Sequence, residues 1–71
     1  MAFRYKKEGY KIVRLTEEGE EKVGRRTIYS TDDQIQYRGF HIVVTDRKSG
    51  RTYILAEDDI EFIDQEEGLV W

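Results

Sequence analysis

Apolar side chains recur at every second position in several short runs of this chain, which is the periodicity of β-strands rather than helices. The runs are rich in β-branched and aromatic residues and are separated by Gly, Asp, Ser and Thr, which favour turns. A tight turn is expected at Glu8-Gly9 and a hairpin loop at residues 46–50. The predicted strands are residues 4–6, 10–15, 27–30, 35–45, 51–56 and 60–63. The pattern predicts an all-β protein.

The longest run, residues 35–45, changes the phase of its alternation half-way along. Its apolar residues occupy odd positions up to Tyr37 and even positions from Phe40, and Gly39 lies at the switch. A straight strand would then turn its second half inside out, because side chains alternate between the two faces. We therefore predict a bulge or sharp bend at Gly39 that keeps both apolar sets, Phe40 included, on one core.

Strongly bent strands are how small barrels close their sheets. The pattern of short bent strands with a long first loop resembles the SH3-like barrel, and this resemblance implies a small five-stranded β-barrel. We expect the barrel to span residues 1–67 and an apolar C-terminal tail to follow at residues 68–71. At 71 residues the chain is long enough for one domain only.

Residues 16–23 fit two interpretations. Thr16 is a suitable N-cap, the glutamates that follow it suit the positive end of a helix dipole, and Gly24 would end the helix. Gly19, inside the segment, and the dense charge fit a long surface loop instead. The sequence leaves open whether this segment is a loop or one or two helical turns.

Charge is distributed unevenly along the chain. The 12 basic and 15 acidic residues give a net charge of −3. However, residues 1–56 together carry +4, and the last fifteen residues carry −7. A basic body is what a phosphate-binding surface requires, and the acidic end opposes that use.

Aromatic side chains lie among the basic ones, and this combination is typical of binding surfaces. We expect a small non-enzymatic accessory module that engages an extended or acidic segment of a partner protein. The predicted partner-binding residues are Tyr10, Tyr29, Tyr37, Arg38 and Trp71.

Two alternatives stay open. A small barrel can bind nucleic acid through a basic surface with stacking aromatic rings. The residues predicted to do so lie between positions 25 and 51, namely Arg25, Arg26, Arg47, Lys48 and Arg51. The chain can also form a structural homodimer through Trp71 or through an edge strand at residues 4–6, so monomer and homodimer both fit.

No group of residues predicts catalysis, a metal or a cofactor. His41 is the only histidine, neither serine lies in a nucleophile context, and without cysteine zinc lacks ligands. The longest strictly apolar run is three residues, far below the roughly 20 that span a membrane, and the N-terminus has no secretory pattern. We therefore expect a cytoplasmic protein without enzymatic activity, cofactor or membrane association.

Overall fold

The alternating runs fold into strands in the computed structural model, which describes residues 3–70. The strands are β1 (Phe3–Leu15), β2 (Thr27–Thr31), β3 (Ile35–Arg38), β4 (His41–Thr45), β5 (Thr52–Ala56) and β6 (Ile60–Val70). One α-helix, α1 (Glu17–Val23), and two single-turn 3₁₀ helices, Asp32–Gln34 and Glu57–Asp59, complete the fold. Sheet A has the strand order β2-β1-β6 and sheet B the order β3-β4-β5, with all neighbours antiparallel. The predicted all-β class is confirmed.

The two sheets do not close into a barrel within residues 3–70. Sheet A ends at β2 and β6, and sheet B ends at β3 and β5, so each sheet keeps two edge strands. The SH3-like resemblance implied five strands in one closed sheet, whereas the structure has six strands in two sheets. The SH3-like barrel is therefore not confirmed.

The phase change at Gly39 marks a hairpin. β3 ends at Arg38, Gly39 and Phe40 form a two-residue turn, and His41 begins β4 opposite Arg38. Gly39 has φ +61°, a left-handed value that glycine adopts without strain and that tight hairpin turns require. Because the chain reverses, odd positions before the turn share a face with even positions after it. Of the two predicted alternatives, a bulge and a sharp bend, the structure has a reversal of the chain, and it brings Ile35 and Tyr37 to the same face as Val44 and Ile42. The placement of Phe40 in the core is wrong, because Phe40 lies at the turn.

β1 continues without reversal at Glu8-Gly9, where the sequence predicted a tight turn. Its pairing with β6 is regular from Phe3 to Lys6 and resumes at Lys11, with an irregularity between them. The expected turn is therefore a bulge within one continuous strand. Such a bulge redirects side chains without ending the ladder.

β6 continues well beyond the predicted residues 60–63. It reaches Val70, so residues 68–70 of the predicted tail are strand, and Trp71 lies outside the described residues. The acidic end lies beside the basic β1 strand. Arg4 is opposite Leu69 and 3.7 Å from the Glu67 carboxylate, an arrangement in which unlike charges stabilise neighbouring strands.

Residues 17–23 form a helix, which decides between the two interpretations of this segment. The Gly19 N–H donates to the Thr16 side chain at 3.3 Å, and Gly24 ends the helix with φ +92°. Gly19 is buried where α1 approaches the second 3₁₀ turn, and a Cβ there would overlap the Asp59 carbonyl oxygen. This close approach explains the glycine inside the helix.

The hydrophobic core joins the two sheets. Its buried members are Val13, Leu15 and Ile28 from sheet A and Ile42, Val44 and Leu55 from sheet B. Val23 of α1 and Ile63 of β6 pack against this cluster. One face of each sheet is therefore used for folding, and the other faces remain for binding.

Candidate functional site

The predicted partner-binding residues divide between two places in the fold. Tyr10 on β1 and Tyr29 on β2 belong to sheet A, whereas Tyr37 and Arg38 end β3 in sheet B. Trp71 lies outside the described residues. The structure therefore offers two sites with different surroundings.

Tyr10 and Tyr29 flank the side chain of Arg47, which lies in the loop after β4. The Arg47 Cζ atom is 5.1 Å from the centre of the Tyr10 ring and 5.5 Å from that of Tyr29. The Lys48 Nζ atom lies 3.9 Å from the centre of the Tyr29 ring. Cations at these distances are attracted to the ring faces. Both tyrosine rings thus already hold cations of their own chain.

Arg47 is fixed more firmly than an ordinary surface arginine. Its backbone N–H donates to the Tyr29 carbonyl at 2.8 Å, and Nη1 donates to the Ser30 carbonyl at 2.9 Å. Its Nη2 pairs with the Glu66 carboxylate, and both side chains are largely shielded from water. Shielded, charge-assisted hydrogen bonds are stronger than exposed ion pairs. Arg47 fastens the loop after β4 to both β2 and β6.

The other basic residues predicted to contact nucleic acid differ in how free they are. The Arg25 Nη1 atom lies 3.1 Å from the buried Asp46 carboxylate, and Arg26 Nε donates to the Leu15 carbonyl at 2.6 Å. Arg51 is exposed just before β5. A phosphate would therefore have to displace intramolecular partners of most of the predicted residues.

The turn between β3 and β4 carries the most exposed aromatic side chains of the described chain. We call Tyr37, Arg38, Phe40 and His41 the hairpin tip. Phe40 is 90% exposed and Tyr37 is 71% exposed. Arg38 donates to the Gln36 side chain at 2.9 and 3.1 Å. Phe40 is not among the partner-binding residues predicted from the sequence, because its alternation with Ile42 and Val44 groups it with core side chains.

The two sides of the hairpin tip differ in chemistry. Tyr37 is opposite Ile42, which is buried, so it begins the row of side chains that faces the core. Arg38 and His41 are opposite each other in the alternate row, on the outer face of sheet B. The tip therefore presents an aromatic side and a basic side around the exposed Phe40 ring.

The outer face of sheet B, next to the hairpin tip, is largely uncharged. Gln36, Val43 and Ile54 form one row across the three strands, and Ile54 is 68% exposed. Residues 34–45 and 51–56 contain no Asp or Glu. The only charged side chain within the strands of this sheet is Arg38, aside from the titratable His41.

Sheet A has a groove of about 430 Å³ on its outer face. Its lining consists of Ile12, Tyr29, Phe62, Asp64, Gln65, Glu66 and Glu67. Apolar and aromatic side chains from three strands thus meet carboxylates of β6. The sequence signal for this site is the acidic end of the chain, which supplies Asp64, Glu66 and Glu67 to the lining.

One carboxylate of the groove is paired with β1. The Lys6 ammonium donates to both Asp64 oxygens at 2.9 Å, which lowers the pKa of the Asp64 carboxyl. The Gln65 N–H, 2.8 Å from Asp64 Oδ1, lowers that pKa further. The same ion pair raises the pKa of Lys6. Both groups are therefore charged at neutral pH and form an ion pair at the edge of the groove.

Asp59 joins α1, β5 and β6. Its buried carboxylate accepts from Lys22 Nζ at 2.7 Å, which lowers the pKa of Asp59, and the Ala56 N–H at 2.9 Å lowers it further. These contacts hold the 3₁₀ turn between the two sheets. Asp59 acts in the fold and lies outside the groove lining.

Among residues 3–70, no group of three or more His, Cys, Asp or Glu side chains is placed to hold a metal ion. No helix of this part of the chain is long and apolar enough to cross a membrane. Comparison with protein-family models, curated proteins and solved structures finds no match to this chain.

Proposed function

We propose that this protein is a small non-enzymatic binding module that engages a partner protein through the hairpin tip. The exposure of Phe40 and Tyr37 at the end of a two-stranded projection is the observation that carries the proposal. Large aromatic side chains are enriched among the residues that dominate binding energy. Burying each of these rings in a partner would contribute about 1.5–3 kcal/mol.

The chemistry of the tip specifies the kind of partner. A projecting turn fits a cleft, and the cleft needs an apolar floor for the Phe40 and Tyr37 rings. Arg38 lies in a sheet without carboxylates, so an acidic side chain of the partner would give it the ion pair it lacks within its own strands. The proposed partner therefore has an apolar cleft with an acidic rim, in keeping with the acidic segment expected from the sequence.

The two alternatives receive less support. The nucleic-acid residues Arg25, Arg26 and Arg47 already have partners within the chain. Residues 4–6, proposed for a homodimer, pair with β6 of the same chain on one side, and β2 reaches only Tyr10–Arg14, so a homodimer would have to use their other side alone. Both remain predictions, which gel shift at low salt and light scattering test directly.

The proposal is tested by affinity capture from native cell lysate with the intact chain and two variants. Phe40→Ala removes the ring at the tip, and Phe3→Ala removes another exposed phenylalanine, 62% exposed, from sheet A. We expect one protein to be captured by the wild type and by Phe3→Ala and to be lost with Phe40→Ala. Tyr37→Ser and Arg38→Ala should reduce its capture.

Unfolding in urea serves as the control for structural damage. Phe40 is almost fully exposed, so its replacement should leave the free energy of unfolding within about 0.5 kcal/mol of the wild type. Equal capture of the same proteins by all variants would reject the hairpin tip as the binding surface. Recovery of nucleic acid in place of a protein would reject the protein partner.

A further inference from the structure

β6 is an edge strand whose second side is unpaired in the described chain. It pairs only with β1, and its eleven residues make it one of the two longest strands. In an antiparallel ladder, alternate N–H and C=O groups of an edge strand point away from the sheet. β6 can therefore accept an additional strand.

The side chains of β6 select the charge of that strand. β6 contains four carboxylates and no basic residue. Each of them has a cation of its own chain within 4 Å, in the pairs Asp64–Lys6, Glu66–Arg47, Glu67–Arg4 and Glu61–Arg26. The pairs of Glu67 and Glu61 are long, at 3.7 and 3.8 Å, and their carboxylates are about half exposed, so a basic residue of a partner can replace the weak intramolecular contact there. A strand on the free side would bring its own residues directly opposite β6. Acidic residues there would repel, and basic residues would repeat the pattern that β1 already makes.

The groove on sheet A adds a specific place for one basic side chain. Ile12, Tyr29 and Phe62 offer an apolar and aromatic wall, and four consecutive residues of β6, 64–67, form the other part of the lining. The methylene stem of lysine or arginine packs on such a wall while its charge reaches Glu67, the half-exposed carboxylate of the lining. Charges that only deter aggregation need no groove.

We propose that β6 binds an extended, lysine- or arginine-rich segment of a partner protein as an additional strand of sheet A, with one basic side chain in the groove. A second copy of this chain is a poor occupant, because pairing β6 with β6 sets carboxylates against carboxylates. The basic strand β1 already lies between β2 and β6 over Lys11–Arg14, so a second copy would have to use the edge that residues 3–9 of β1 keep, which the measurement of mass below tests. This site is separate from the hairpin tip and does not depend on it.

The test uses three fluorescein-labelled nonapeptides of alternating composition, Lys-Val, Gln-Val and Glu-Val, titrated with the intact protein. Fluorescence anisotropy should show binding of the Lys-Val peptide, weaker binding of Gln-Val and none of Glu-Val. Hydrogen exchange should slow at the β6 amides when the Lys-Val peptide is bound. Added salt should weaken the Lys-Val complex.

Matched variants locate the site. Glu67→Gln removes one carboxylate of β6, and we expect about 2–5-fold weaker binding of the Lys-Val peptide, the range for one cross-strand charge pair. Phe62→Ala should weaken it by a similar factor. Glu57→Gln removes an exposed carboxylate from the 3₁₀ turn before β6 and should have less effect. Urea unfolding checks that each variant remains folded.

Several results would overturn the proposal. One is equal binding of the Glu-Val and Lys-Val peptides, and another is Lys-Val binding that leaves β6 exchange and all three variants unchanged. Absence of binding by any peptide would mean that the acidic edge only deters aggregation. Doubling of the mass with protected β6 amides would identify a second copy as the occupant. None of these results bears on the hairpin tip, which Phe40→Ala tests.

Discussion

Sheet A and sheet B share one core but differ in the charge and the exposed apolar area of their outer surfaces. The ion pairs of the described chain involve sheet A, α1 or the connecting segments, and none includes a residue of β3, β4 or β5. Sheet B has no carboxylate in its strands and exposes Phe40, Tyr37 and Ile54. Sheet A is therefore charged and internally neutralised, whereas sheet B is nearly uncharged and incompletely covered.

This difference changes the meaning of the charge pattern. Basic residues between 25 and 51 suggested a phosphate-binding surface, but Arg47 and Arg25 hold the fold together. The acidic end of the chain lies against basic β1 in the same sheet. The number of charges alone therefore does not identify a binding surface in this protein, because exposure and the strength of intramolecular pairing decide which groups a partner can reach.

The largest expected effect separates the two faces of one strand in sheet B. Leu55 is 1% exposed and its neighbour Ile54 is 68% exposed. Leu55→Ala should lower the free energy of unfolding by about 2–5 kcal/mol because it leaves a cavity in the core. Ile54→Ala should change it by less than about 0.5 kcal/mol. Urea denaturation measures both, and equal losses would contradict the assignment of inner and outer faces.

A smaller difference in the free energy of unfolding is expected between alanine variants of Arg47 and Arg38. Arg47→Ala should lower the free energy of unfolding by about 1.5–3 kcal/mol, because shielded hydrogen bonds to β2 and a carboxylate of β6 are lost. Arg38→Ala, at the hairpin tip, loses only contacts to Gln36 and should be near neutral. The comparison fails if Arg38→Ala proves as destabilising as Arg47→Ala in the same urea experiment.

The smallest predicted effect is the part of the stability loss at low pH that comes from Asp59. Lys22 and the Ala56 N–H lower the pKa of Asp59 in the folded chain, so the unfolded chain takes up a proton there at higher pH. The stabilisation is complete above the ordinary aspartate range and is lost as the pH falls through the lowered pKa. The Asp59→Asn variant should therefore lose less stability than the wild type on acidification. Equal losses in pH-dependent urea unfolding would show that this carboxylate does not contribute.

Local signals predicted the all-β class and the hairpin loop at 46–50, and they offered Thr16 and Gly24 as caps without deciding between a helix and a loop. Long-range pairing was not predictable in the same way. A phase change at Gly39 is produced equally by a bulge and by a two-residue turn, and only the partner of each half distinguishes them. The length of β6 depends on β1, some fifty residues away in sequence, because its acidic residues become strand through that pairing.

The candidate sites were also predictable only as far as local signals allowed. Tyr37 and Arg38 were recognised by residue type alone, and the structure adds Phe40 because it resolves the turn. Tyr10 and Tyr29 were also recognised, but their contact with Arg47 depends on a loop from the other sheet. The sequence shows which residues are suited to binding, and the fold determines which of them remain accessible.

Site-specific photo-crosslinking in the native cells tests most directly whether a partner protein binds at the hairpin tip. A photoreactive phenylalanine analogue is placed at position 40 in one sample and at position 3 in another, and the crosslinked products are identified by mass spectrometry. If the partner binds at the hairpin tip, we expect a crosslinked product with one partner protein from position 40 and no product of the same mass from position 3. Crosslinking of that partner from position 3 alone, or no product from position 40, would contradict it.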